Sequence, residues 1–129
     1  MKIPEILIVE DDEPSYMYLA SLISRIPCSI VRAINGQEAV AICESEERLA
    51  IVLMDLKMPV MDGLDATRAI KNVRSNLPVI AITAYAFSSD EKAVMAAGCD
   101  EYLTKPVKKE QLFRVLRSYG IDIAPAAYF

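Results

Sequence analysis

The chain has 129 residues, 53% of them apolar and 25% charged, a size and balance that suit one domain around one core and exclude a disordered segment. Its net charge of −4 argues against a nucleic-acid surface, and no apolar run approaches the roughly 18 residues of a membrane span. Histidine is absent, so no imidazole can act as base, metal ligand or phosphate carrier.

The N-terminus, MKIPEILIVEDD, carries a short apolar run that stops at acids, unlike a signal peptide, which points to a cytoplasmic protein. Ile6 to Val9 read as a buried strand ending in Glu10, Asp11 and Asp12. Glu13-Pro14 open a helix, where proline is tolerated and acids suit the dipole. Tyr18, Leu19, Leu22, Ile23 and Ile26 form its packing face, and Pro27 ends the run. Cys28 to Ala33 form a short strand with Ile30 and Val31 on opposite faces. Asn35-Gly36 turn the chain into a helix carrying Ala39, Val40, Ile42 and Cys43, which ends in the acidic run Glu44 to Glu47.

Ile51 to Met54 form a third buried strand, ending in Asp55. A loop with Pro59 and Asp62-Gly63 leads into a helix over Leu64 to Val73, with Leu64, Thr67, Ala69 and Ile70 available to pack. Pro78 to Ile82 form a fourth strand ending in Thr83-Ala84. Ser88 or Ser89 caps the next helix, with Glu91 placed to complete a capping box, and Gly98 closes it. Asp100 to Leu103 form a fifth strand ending in Thr104-Lys105-Pro106. A last helix from Lys108 to Ser118 sets Leu112, Val115 and Leu116 on one face and stops near Gly120. One domain is expected over 1–120, with a patternless tail at 121–129. Cys28, Cys43 and Cys99 are odd in number and lie in apolar surroundings, as reduced buried thiols do.

Buried strands alternating with helices call for an α/β fold, a doubly wound five-stranded parallel sheet with helices on both faces. In such a sheet the carboxyl ends of the strands share one edge, where ligands bind. That edge receives Glu10 and Asp11, Asp55, Thr83 and Lys105. Clustered carboxylates resist joint ionisation; a hard cation held by oxygens, with Mg²⁺ the best suited, resolves the repulsion. Metal, ammonium and hydroxyl together would hold a phosphoryl group on Asp55, since a carboxylate is a competent phosphoryl acceptor.

The blocks ILIVEDD, LMDLKMPVMDG, VIAITAYA and DEYLTKP, in this order and on these elements, resemble those of response-regulator receiver domains of two-component signalling. The resemblance covers essentially the whole chain, and its wording is nearest to receivers of hybrid sensor kinases and phosphorelays. It implies a flavodoxin-like (βα)5 fold with strand order 2-1-3-4-5. Asp55 would be the phosphoacceptor, loaded from a phosphohistidine on a histidine kinase or histidine phosphotransfer protein. Asp11, Asp55 and the backbone carbonyl of Lys57 would ligate Mg²⁺, for which Mn²⁺ can substitute, with Glu10 acting through a water. Thr83, Ala84 and Lys105 would bind the phosphoryl group. Thr83 and Tyr102 would switch a surface near the last strand, and the bond before Pro106 would be cis. The implied protein is a phosphorylation-switched signalling domain rather than a turnover enzyme. It would be a monomer or weak dimer, with no nucleic acid or membrane as partner.

Glu10 stands where aspartate is commonest in that family, one methylene longer, and Asp12 beyond the pair reads as a capping or solvated acid. Lys57 and Tyr85, each two residues past a site residue, are placed to shield an acyl phosphate from water and so set its lifetime. Two other readings share parts of this pattern. A haloacid-dehalogenase-like phosphatase needs its nucleophile after the first strand in an Asp-x-Asp pattern, and this chain is short for a cap plus core. A flavodoxin-type cofactor binder needs a glycine- and hydroxyl-rich phosphate loop where this chain has acids.

Overall fold

The computed structural model of the protein describes residues 3–57, 61–84 and 88–123 and, in the last of these segments, the side chains from residue 91 on. Five strands, β1 (Glu5–Val9), β2 (Ser29–Ala33), β3 (Leu49–Asp55), β4 (Val79–Thr83) and β5 (Glu101–Thr104), alternate along the chain with five helices. The helices are α1 (Glu13–Ile23), α2 (Gly36–Ser45), α3 (Gly63–Val73), α4 (Ser88–Ala96) and α5 (Lys109–Ser118). All strand pairings are parallel, in the order β2-β1-β3-β4-β5. This is the doubly wound 2-1-3-4-5 sheet that the buried runs and the family resemblance call for.

β1, β3 and β4 read as nearly unbroken apolar runs because both of their faces are covered. Ile6, Ile8, Ile51, Leu53, Ile80 and Ile82 point to one side and pack with Leu19 and Ile23 of α1 and with Leu112, Val115 and Leu116 of α5. Leu7, Val9, Val52, Met54, Val79 and Ala81 point to the other and pack with α2, α3 and α4 through Ala39, Cys43, Ala66, Ile70 and Val94. Ile30 and Val31 of β2 join opposite clusters, as their alternation requires. The sheet is thus packed on both faces.

Several boundaries differ from the sequence reading, each for a local reason. Helix α1 stops at Ile23 rather than running to Pro27, because proline disfavours helical geometry at Ile26, which is buried from the following turn. Tyr18 is 45% exposed instead of packed, and its hydroxyl donates to the Val107 carbonyl. In α3 the buried face includes Ala66, while Leu64 and Ala69 are half-buried. Asp100 precedes β5 instead of opening it. Its Oδ2 accepts from the Val79 N–H and from the Lys71 ammonium, both at 2.8 Å.

Helices α4 and α5 end in the same way. Gly98 (φ 107°) and Gly120 (φ 88°) take the left-handed conformation. Cys99 N–H then reaches back to the Val94 carbonyl, and Ile121 N–H to that of Leu116. These are Schellman closures that glycine alone accommodates without strain. Beyond Gly120, Ile121 and Ile123 are buried against the α1–α5 cluster. The proposed caps at Ser88 and Ser89 and the loop residue Pro59 lie outside the described residues and side chains.

Candidate functional site

At the carboxyl edge of the sheet a cavity of about 240 Å³ is lined by residues from four strand ends, among them Glu10, Asp11, Asp55, Thr83, Ala84 and Lys105. The β1 end is shaped first. After the last ladder pair, Val9 with Ala33, the Glu10 N–H still donates to the Ala33 carbonyl, so Glu10 continues the strand and its side chain is buried. Asp12 then leaves the strand as the N-cap of α1, accepting from the Ser15 N–H at 3.0 Å. Hydrogen bonds from the Ser15 side chain and backbone hold the Asp12 carboxyl below its ordinary range. Asp12 is therefore the capping acid the sequence suggests, and Asp11 between the two is exposed.

Asp55 ends β3, with its side chain only 8% exposed. Its Oδ1 accepts from the Lys57 N–H at 3.2 Å, and the Leu56 N–H donates to the Ile82 carbonyl at 3.2 Å, which fixes the chain as it leaves the sheet. Gly63 of α3 lies against this turn: a Cβ there would sit 2.5 Å from the Asp55 carbonyl oxygen and 2.7 Å from the Leu56 Cα. Only glycine lets α3 begin this close to the strand end. Thr83 closes β4 and is buried, and its carbonyl accepts from the Lys105 N–H at 2.8 Å, tying the third and fourth contributors together. The Lys105–Pro106 bond is cis.

The Lys105 ammonium lies 3.4 Å from Glu10 Oε1 and 3.7 Å from Asp55 Oδ1. One cation does not balance the acids. Burial, then the hydrogen bond and charge of Asp55, push the Glu10 carboxyl up to about 7, against the opposing pull of the Asp12 N–H and Lys105. Glu10, Asp11 and Asp55 each offer an oxygen, all within 4.8 Å of one another. Oxygens bound at about 2.1 Å to one Mg²⁺ lie up to about 4.2 Å apart, so a small closure satisfies the ion. An all-oxygen donor set carrying unbalanced negative charge fits a hard divalent cation.

The structure thus gathers Glu10, Asp11, Asp55, Lys57, Thr83, Ala84 and Lys105 around one cavity. Tyr102 stands apart from it, half-buried on β5 and packed against the cluster that contains Ala81 and Val94. Tyr85 lies outside the described residues. The cysteines are free thiols away from the cavity. Arg32 also reaches this edge, which its place in the sequence does not reveal. Its Nε and Nη2 donate to the Glu10 carbonyl at 3.3 and 3.2 Å, and Nη1 to Glu13 at 2.6 Å. The available signal was a charged residue in a short strand, with no indication of where it would reach.

The family profile for the response regulator receiver domain matches residues 6–117. The polar-differentiation response regulator DivK of Brucella anthropi is 33% identical over 116 residues, covering 88% of this chain and 94% of that protein. Hybrid signal transduction histidine kinase G of Dictyostelium discoideum is 38% identical over 121 residues, or 90% of this chain. Sensor protein GacS of Pseudomonas syringae is 34% identical over 118 residues, or 88% of this chain. The chain spans only 4% and 13% of those two kinases. Among solved structures, the receiver domain of a Pseudomonas aeruginosa sensor histidine kinase, described with a magnesium ion coordinated in its active-site cleft, is similar at 32% identity. Its TM-score is 0.84, covering 92% of this chain and 98% of that one.

Proposed function

We propose, from the premise that this chain belongs to the response regulator receiver domain family, that Asp55 is its phosphoacceptor and that Glu10, Asp11 and Asp55 form its Mg²⁺ site. The domain serves two-component or phosphorelay signalling, and its phosphoryl donor is a phosphohistidine of a histidine kinase or a histidine phosphotransfer protein. The observation that carries the assignment is the convergence of three carboxylates within 4.8 Å with one ammonium 3.7 Å from Asp55.

In the transfer an Asp55 carboxylate oxygen bonds to phosphorus as the imidazole N–P bond breaks, and the imidazole keeps the electron pair. A bound Mg²⁺, or Mn²⁺ in its place, supplies charge neutralisation for the phosphoryl oxygens. Asp11, Asp55 and the Lys57 carbonyl would hold it, with Glu10 acting through a water. Lys105 pairs with one phosphoryl oxygen, and Thr83 and the Ala84 N–H bond others. Thr83 then turns towards the phosphate and Tyr102 turns inward behind it, altering the surface of α4, β5 and α5. No helix among the described residues is long and apolar enough to cross a membrane.

Incubation with Mg²⁺ and phosphoramidate, read by intact mass, tests the assignment. Wild type gains one phosphoryl group and Asp55→Asn gains none; equal gain in both refutes it. Lys57 and Tyr85 shield the acyl phosphate, so Lys57→Ala and Tyr85→Ala shorten its lifetime after loading. An unchanged decay in both variants overturns that role.

A further inference from the structure

Arg32 lies on β2, opposite Ile8 in the ladder and outside the cavity. Each nitrogen of its guanidinium makes a hydrogen bond. Nε and Nη2 fork onto the Glu10 carbonyl oxygen, at 3.3 and 3.2 Å. Nη1 donates to Glu13 Oε2 at 2.6 Å, and the carbon at its centre stands 4.2 Å over the Tyr16 ring. These contacts connect β2 to the four-acid turn Glu10-Asp11-Asp12-Glu13 and to the first turn of α1.

The backbone shows what the fork does. The β1–β2 ladder ends at Val9 and Ala33, and the Glu10 N–H makes the last strand-like bond, to the Ala33 carbonyl. The Glu10 carbonyl has passed the ladder's end, and the Arg32 side chain replaces the missing strand donor. β2 therefore holds both peptide planes that flank the Glu10 Cα, the Val9–Glu10 plane through the Glu10 N–H and the Glu10–Asp11 plane through its carbonyl. Those planes set the directions in which the buried Glu10 and the exposed Asp11 present their carboxylates. Glu13 and Tyr16 hold the guanidinium in place, so little side-chain freedom remains to be lost when the turn tightens around a cation.

We infer that Arg32 is a positioning residue for divalent-cation binding: by fixing the Glu10–Asp11 peptide it presets the acidic turn for Mg²⁺. This rests on the Mg²⁺ site proposed above. A competing electrostatic expectation has the opposite sign. A nearby positive charge disfavours a cation, so if charge alone mattered, removing Arg32 would tighten binding. Supporting groups around metal ligands alter affinity by about 10–100-fold when removed.

The test is Mg²⁺ titration by calorimetry, together with phosphoramidate phosphorylation as a function of Mg²⁺ concentration, on wild type, Arg32→Met, Arg32→Lys and Tyr16→Leu. Arg32→Met is expected to weaken Mg²⁺ affinity about tenfold. Arg32→Lys, which keeps the charge and loses the fork, should weaken it nearly as much. In both, the half-saturating Mg²⁺ concentration should rise while the rate at saturating Mg²⁺ stays within about twofold of wild type, a split that general loosening of the fold would not produce. Tyr16→Leu, which leaves every hydrogen bond in place, should weaken affinity about two- to threefold. Unchanged or tighter binding in Arg32→Met overturns the inference, as does wild-type affinity in Arg32→Lys. If neither Arg32 variant folds, wild-type affinity in Tyr16→Leu overturns it. Wild type that binds no Mg²⁺ would instead refute the metal site itself.

Discussion

Glu10 should make the metal-free domain less stable as pH rises through neutrality. Its carboxyl is displaced from an ordinary 4.5 to about 7, first by burial and then by Asp55. A folded-state value above the unfolded one means that the folded form holds the proton more tightly. Its contribution is fully present below about pH 4.5 and lost as pH rises through about 7. At 1.36 kcal/mol per pH unit the loss amounts to about 3 kcal/mol, a large share of a small domain's stability. The chain contains no histidine, so no imidazole titrates in this window and the signal is unusually clean. Urea unfolding in EDTA at pH values from 5 to 8, read by circular dichroism, measures it. Stability should fall across the range in wild type and stay nearly flat in Glu10→Gln. Saturating Mg²⁺ should remove most of the slope in wild type, because the cation stabilises the ionised cluster. A flat or rising wild-type profile in EDTA, or the same slope in Glu10→Gln, refutes the reasoning.

Gly63→Ala should cost about 1–3 kcal/mol in urea unfolding and weaken Mg²⁺ binding, since the added methyl meets the Asp55 carbonyl oxygen at 2.5 Å and that backbone must shift. An Mg²⁺ affinity equal to wild type would show that the strand end is not displaced. Lys71→Met removes the ammonium that bonds the Leu77 carbonyl at 2.7 Å and Asp100 at 2.8 Å, and should cost about 1–3 kcal/mol without changing Mg²⁺ affinity. Burial pushes the Cys43 thiol up to about 11, against a small opposing pull from Arg74, and raises those of Cys99 and Cys28. Alkylation by iodoacetamide at pH 8 should therefore reach half-buried Cys28 first and the two buried cysteines only on unfolding. Equal labelling rates in the folded protein would contradict this.

The sheet was legible because the central strands, covered on both faces, leave apolar runs, and because four of the five strands end at a polar residue on the shared edge. Glu10, Asp55, Thr83 and Lys105 could be named from that rule before any contact was known. Gly98 and Gly120 were legible for a different reason: a helix end that needs positive φ selects its residue type. What escaped were pairings between residues distant in sequence. Arg32 meets Glu10 across 22 residues, and Lys71 meets Asp100 across 29, and neither separation belongs to any local period. Tyr18 counts as apolar by periodicity, yet it is 45% exposed and its hydroxyl donates to the Val107 carbonyl.

The acidic turn shows how backbone geometry divides one composition into separate roles. Glu10, Asp11, Asp12 and Glu13 are four consecutive carboxylates, yet one is buried, one exposed at the carboxylate cluster, one caps α1 and one holds Arg32. Nothing in their chemistry distinguishes Asp11 from Asp12. The distinction comes from the register of β1 on β2, which carries Glu10 inward as the last strand-like residue, and from Ser15, which claims Asp12 for the helix cap. A one-residue slip would turn Asp11 inward and Asp12 outward, leaving α1 without its cap and the cavity with the wrong acid. Registry held by β2, the cap and the Arg32 fork is therefore as much a part of the site as the carboxylates that line it.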